Sequence, residues 1–249
     1  MDFRERLKRQ ITPEWALRSG EANPPSFFCV GAMKCGTTSL HDYLALHPEM
    51  TLPVEKETDF FVRHLTDLTI DAYEAKFEVG KVGAECCPQY LYYPREMKIL
   101  YPKATVLILV RDPVERFISH WRHVVHKGRT TAKKVSALIN AGDFDALMEI
   151  NRLPFLYSRY ADPIRSFRAF FRPHVMSFHD MVERPEEFYR KVCDLIGVSY
   201  VAELPFPHSH ASTDRPKITI TKTGQAHLRA YFDETNSFIL NEFGIDLFR

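Results

Sequence analysis

Three short stretches of the chain are predominantly apolar: residues 26–30 (SFFCV), 105–110 (TVLILV) and 174–178 (HVMSF). A less apolar fourth lies at 81–85 (KVGAE). Runs of this length, apolar on successive positions, suit strands covered on both faces of a parallel sheet. Between them the pattern changes to helical spacing, over 38–46, 114–126 and 186–196. A last helix is predicted over 228–243, where Leu228, Tyr231, Phe232, Thr235 and Ile239 recur near every third or fourth position. Strands alternating with helices predict an α/β fold in three layers, with a central, mostly parallel sheet of about five strands flanked by helices.

Residues 2–10 are mostly charged, and Asn23-Pro24-Pro25 breaks any regular element, so residues 1–25 read as a peripheral arm. No repeat or glycine/serine linker follows, which makes residues 26–249 one domain, a size that single α/β domains reach. Composition changes this picture in one respect. Lysine plus arginine number 33 and aspartate plus glutamate 32, a net charge of +1. That balance excludes a generally basic surface and with it nucleic acid as a partner, so any anion is held by a local site. The five cysteines show no zinc-ligand spacing, which predicts no metal. The charged start and the lack of a long apolar stretch predict a cytoplasmic protein with reduced thiols and no transmembrane segment.

The chemistry concentrates first at residues 31–40 (GAMKCGTTSL), between the first strand and its helix. A glycine-bounded turn at the carboxyl end of a strand lets backbone N–H groups close around a phosphate, and the next helix aims its positive end at the same anion. Lys34 adds a full charge, Cys35 and Gly36 lie in the turn, and Thr37, Thr38 and Ser39 supply hydroxyls in the first helical turn. The alternative is an ordinary βα turn with a surface lysine. The loop is P-loop-like but not a Walker loop, which needs lysine directly after its second glycine; here Thr37 follows Gly36.

The spacing G-x-x-K-x-G-T-T-S-L resembles the phosphosulfate-binding loop of sulfotransferases, a resemblance that assigns Lys34, Cys35, Gly36, Thr37, Thr38 and Ser39 to binding the donor's 5′-phosphosulfate. These enzymes take the donor 3′-phosphoadenosine-5′-phosphosulfate (PAPS) and release 3′,5′-bisphosphoadenosine. Residues 109–119 (LVRDPVERFIS) resemble the family's 3′-phosphate motif, R-D-P-x-x-R-x-x-S. Arg111 leaves a strand end as a forked donor, Pro113 suits a first helical turn, and Ser119 lies two turns along. The resemblance assigns Arg111 and Ser119 to the 3′-phosphate. Ser212-Thr213-Asp214-Arg215-Pro216-Lys217 resembles the basic loop that closes over the nucleotide in heparan-sulfate-type sulfotransferases, where K-G-R is usual. Arg215 carries over, and Lys217 is the substitute offered for the missing lysine.

Two further segments concern the acceptor. Residues 54–61 (VEKETDFF) resemble the family's K-E-x-x-F-F, which singles out Glu57 over Glu55 and Asp59 as the base and anchors the segment through Phe60 and Phe61. Residues 82–91 (VGAECCPQYL) resemble G-x-E-K-T-P-x-Y: Glu85, Pro88 and Tyr90 match, while Cys86 and Cys87 replace lysine and threonine and read as unreactive wall residues. Glu85 either orients the acceptor or pairs internally; Tyr90 and Phe61 are taken as acceptor-side residues. His47, before Pro48, reads as structural, and His64, His120 and His123 as possible acceptor-side groups or ordinary surface and core residues.

The resemblance thus implies a PAPS-dependent, metal-independent sulfotransferase. Lys34 and Glu57 would carry the catalysis, and the acceptor would be a small molecule, glycan or lipid offering a hydroxyl or amine. The rivals are a P-loop nucleotide kinase or phosphotransferase, and an inactive module that binds 3′,5′-bisphosphoadenosine.

Overall fold

The computed structural model describes residues 23–62, 70–206 and 216–248. The arm therefore lies outside the described residues except for its end, where Asn23 Nδ2 donates to the carbonyls of Glu78 (2.8 Å) and Lys81 (2.9 Å). The chain forms two compact units, Met1–Leu109 with Ser166–Ser209, and Val110–Arg165 with His210–Arg249.

The first unit carries the sheet. Its elements are β1 (Phe27–Cys29), α1 (Thr37–Ala45), β2 (Met50–Thr51), α2 (Ile70–Glu74), β3 (Val82–Cys86), a 3-10 helix (Pro88–Tyr92) and α3 (Pro94–Leu100). β4 (Thr105–Val110) follows, its last residue opening the second unit. The five strands run in the order β2-β3-β1-β4-β5, with β5 at His174–Ser177. β1 pairs in parallel with β3 on one side and β4 on the other, setting Phe28 opposite Glu85 and Val106. Every residue of β1 is buried, as are the last five of β4, which is why both read as unbroken apolar runs. The chain lays down β2 and β3 on one side of β1 before β4 and β5 on the other. In parallel sheets such a reversal marks the strand ends at which ligands bind. The expected α/β fold with a five-stranded parallel sheet is what the structure has.

The second unit is helical: α4 (Pro113–His126), α5 (Ala132–Ala141), α6 (Phe144–Ile150), α7 (Leu153–Leu156) and α11 (Lys222–Phe243). α8 (Ala161–Arg168) runs across the division of the chain, and α9 (Phe178–Glu183) and α10 (Pro185–Ile196) return to the first unit. On α4, Val114, Phe117, Trp121 and Val124 face one way and bury against Val135 and Ile139 of α5 and Leu228 and Phe232 of α11. Arg116 is also fully buried. Its guanidinium donates to Ser158 Oγ (2.8 Å) and the Pro154 carbonyl (2.9 Å) and meets His120 Nδ1 (3.1 Å), fastening α4 to α7 and the residues after it. Among the described residues no helix is long and apolar enough to cross a membrane.

α5, α6 and the first six residues of α11 depart from the expected pattern. Thr131 and Asp143 cap α5 and α6 through Lys134 N and Ala146 N, short polar signals within a stretch for which no element was predicted. α11 starts at Lys222 rather than 228 because Thr221 Oγ1 accepts from Gly224 N (3.1 Å). Gly224 hides this start. It is a glycine because a Cβ there would meet Asn140 Oδ1 at 2.3 Å and Asn140 Cα at 3.1 Å. Asn140 cannot swing away freely, since Oδ1 accepts from Thr221 N (2.9 Å) and Oγ1 (3.1 Å).

This contact decides the sign of a substitution. Helix propensity alone would make Gly224→Ala stabilising by about 1 kcal/mol. The clash with a held side chain and its backbone costs about 1–3 kcal/mol, the usual range for overpacking. Gly224→Ala is expected to lower the urea midpoint; a raised midpoint would refute the packing account.

Candidate active site

The strand ladder continues past β1 into the loop. Val30 N donates to Leu107 O (3.0 Å), Leu109 N to Gly31 O (2.7 Å) and Ala32 N to Leu109 O (2.7 Å). The chain then turns through Lys34 and Gly36, whose φ values of 69° and 93° are both left-handed. Glycine is needed at 36, where a Cβ would sit 2.6 Å from the ring of Phe178 and 3.1 Å from Met181 Sδ. Gly36 is also the N-cap of α1, and no side chain caps that helix. The first-turn amides of a helix have no partner within it, so those of Thr37, Thr38 and Ser39 face the loop as donors, reinforced by the helix dipole. Thr37 and Ser39 are buried, and Thr38 and Lys34 are half-buried. Alternating left-handed residues, orphan amides, hydroxyls and a lysine form a donor set suited to a phosphate or sulfate group.

Cys35 departs from the expectation. Its N–H donates to Ala32 O (3.1 Å) within the turn, and its buried thiol faces the Met33 carbonyl. It shapes the loop rather than supplying a donor to an anion.

The second part of the site is the segment before α2. Three carboxylates compete there, and their contacts separate them. Glu55 is exposed and pairs with Lys76 Nζ (3.0 Å). Asp59 accepts from the Cys87 thiol (3.4 Å). Glu57, with a third of its side chain exposed, pairs with Lys56. Glu57 and Asp59 both have left-handed backbone, φ 61° and 56°, around Thr58. Phe60 and Phe61 are buried; Phe60 stacks on Tyr73 with ring centroids 4.1 Å apart, and Phe61 meets Tyr90 edge-on at 4.7 Å. The apolar anchoring of the segment is as expected.

Sequence reasoning passed over His41. It lies one helical turn beyond Thr37 on α1. Burial chiefly lowers its pKa and nearby Lys56 adds to this, while Asp42 and Glu57 oppose it. His41 therefore shares its electrostatic surroundings with the Lys56–Glu57 pair. The i, i+4 spacing from Thr37 was the available signal.

Glu85, Tyr90 and Phe61, expected on the acceptor side, are instead core residues, exposed by 1%, 0% and 1%. Of the two readings of Glu85, the contacts fit internal pairing. Its Oε1 accepts from Thr58 N (2.9 Å) and Thr58 Oγ1 (2.7 Å), and its Oε2 from the hydroxyls of Tyr73 and Tyr90. Burial pushes its pKa up, and the bonds from Tyr73, Thr58 and Tyr90 pull it back. Cys87 is fully buried, and burial, then Glu85 and Asp59, push its thiol pKa well up; Cys86 is likewise pushed up by bonding to Cys29 and by burial. Neither holds a thiolate, in keeping with wall residues. None of the five cysteines forms a disulfide.

The remaining candidates belong to the second unit. Arg111 donates from Nε (3.0 Å) and Nη2 (2.9 Å) to Glu115 Oε2. Asp112 caps α4, accepting from Val114 N (2.7 Å) and Glu115 N (3.3 Å). Ser119 is half-buried on α4, and Lys217 is exposed just before the buried Ile218. His120 is buried against Arg116, and His47 accepts from Glu49 N and reaches Ser199 O, each a structural role. Arg215 and His64 lie outside the described residues.

Comparison with known proteins bears on this arrangement. A protein-family model described as "Sulfotransferase family" matches residues 56–202, more than half of the chain. The heparan sulfate glucosamine 3-O-sulfotransferase 6 of Homo sapiens is 26% identical over 78% of this chain and 59% of that protein. The membrane-associated sulfotransferase kil1 of Dictyostelium discoideum is 33% identical over 39% of this chain and 22% of its own length. The chain thus spans from about a fifth to three-fifths of these relatives. A crystal structure of a sulfotransferase from Alicyclobacillus acidocaldarius superposes with a TM-score of 0.70 at 26% identity, covering 90% of this chain and 97% of that one. The chain belongs to the sulfotransferase family.

Proposed function

We propose that the chain transfers a sulfuryl group from PAPS to a hydroxyl or amine of an acceptor. The observation that carries this reading is the start of α1, where left-handed Gly36 is the N-cap, no side chain caps the helix, and the amides of Thr37, Thr38 and Ser39 are left as donors beside Lys34.

The residues fit PAPS by their chemistry. The amides and hydroxyls of Thr37, Thr38 and Ser39 with Lys34 suit the 5′-phosphosulfate, and Arg111 and Ser119, with Arg215 and Lys217, are assigned to the 3′-phosphate. When bound, PAPS supplies the sulfuryl group and a stable leaving nucleotide. Glu57 accepts the proton of the acceptor O–H or N–H as the acceptor's lone pair attacks sulfur. Lys34 would be placed to balance negative charge on the leaving nucleotide. Arg111 would exchange the half-exposed Glu115 for phosphate, a charge-assisted forked contact.

Donor recognition is tested by Arg111→Ala. It is expected to weaken 3′,5′-bisphosphoadenosine by about 2–4 kcal/mol and to leave adenosine 5′-phosphosulfate, which lacks the 3′-phosphate, nearly unchanged. Equal losses for both ligands would make Arg111 structural.

The base is tested by Glu57→Gln, which preserves size but accepts no proton. With an acceptor drawn from a panel of sugars, lipid alcohols and phenols, kcat is expected to fall about 10²–10⁴-fold while nucleotide affinity holds. Glu55→Gln and Asp59→Asn are the controls. A larger loss in either control, or full activity in Glu57→Gln, would show that the wrong carboxylate has been chosen.

A further inference from the structure

The Glu85 carboxylate is almost wholly buried in β3 yet accepts from a loop residue 27 positions earlier, from Thr58 N at 2.9 Å and Thr58 Oγ1 at 2.7 Å. Its two oxygens divide the work. Oε2 accepts from the Tyr73 and Tyr90 hydroxyls, which belong to the aromatic cluster behind β1. Oε1 accepts both donors of Thr58, the backbone N–H and the hydroxyl. Tyr90 extends the same net, since its oxygen lies 3.1 Å from Thr58 Oγ1 and accepts from Phe60 N (3.0 Å).

Thr58 sits between Glu57 and Asp59, the two non-glycine residues of this segment with left-handed backbone. L-residues adopt that conformation at a cost, and it persists where surrounding contacts over-determine it. Here those contacts converge on the single residue between the two. We propose that Glu85 is a positioning residue for Glu57: by accepting both hydrogen bonds of Thr58, it fixes the turn that presents the Glu57 carboxylate. This rests on the reading of Glu57 as the base. Glu85 does not replace Glu57 in that reading, because it is buried and accepts from four donors.

The test does not require the acceptor. With ¹³C-carboxyl-labelled glutamate, the Glu57 resonance is identified by its loss in Glu57→Gln. Thr58→Val removes the hydroxyl donor with little change in shape, and Thr58→Ser keeps both donors. In Thr58→Val the Glu57 resonance is expected to move and protection of the Thr58 amide to fall about 10- to 100-fold, the worth of a hydrogen bond to a charged group. Thr58→Ser is expected to restore both, and the Glu55 resonance to stay in place throughout. Glu85→Gln should reproduce the Thr58→Val pattern; should it not fold, Thr58→Val decides alone. An unmoved Glu57 resonance with wild-type amide protection in Thr58→Val would overturn the proposal, as would global unfolding of that variant, which would make the contact a general stability element. Either result leaves the base reading standing, whereas full turnover in Glu57→Gln would overturn the base reading and leave the Thr58 measurement intact.

Discussion

A helix cannot satisfy its own first-turn amides, and in α1 no side chain does so for it. Several helices elsewhere in the chain begin with a capping side chain: Asp112, Thr131, Asp143, Ser177 and Thr221 each accept an amide from the turn that follows. α1 begins instead on Gly36, left-handed and pressed against Phe178. That choice leaves the amides of Thr37, Thr38 and Ser39 for an external acceptor, with Lys34 beside them in the loop. With a net charge of only +1, the protein has no general field to draw an anion in, so recognition depends on this local arrangement.

The segment that carries Glu57 is held by the opposite device. Where the loop before α1 leaves donors open, Thr58 in the 57–59 turn meets a buried acceptor, Glu85, whose desolvation four donors partly offset. Phe60 and Phe61 add the apolar side of the same anchor by packing on Tyr73 and Tyr90. Polar and apolar contacts thus meet on one short segment.

Much of this was legible in the sequence because it is local. The buried strands read as apolar runs, the loop as glycine, lysine and three hydroxyls in a row, and Asp112-Pro113 as a helix start. β2 was not legible, since two residues carry no period. The start of α11 was hidden by Gly224, whose reason is Asn140, far away in sequence. The bond that Cys35 N gives to Ala32 O was not legible, because it is set by the turn and not by composition. Glu85 was visible as a motif residue, but its choice between acceptor and interior depended on Thr58, Tyr73 and Tyr90 arriving around it. Tertiary contacts of that kind leave no periodic trace.

The central claim is that the α1 loop and its partners hold a 3′-phosphorylated adenine nucleotide rather than a nucleoside triphosphate. Calorimetric titration with 3′,5′-bisphosphoadenosine and, side by side, with ATP and Mg²⁺ tests it most directly. The account predicts saturable binding of the bisphosphate without metal and much weaker binding of ATP, since the lysine precedes Gly36 instead of following it. Metal-dependent binding of ATP that equals or exceeds that of the bisphosphate would contradict it.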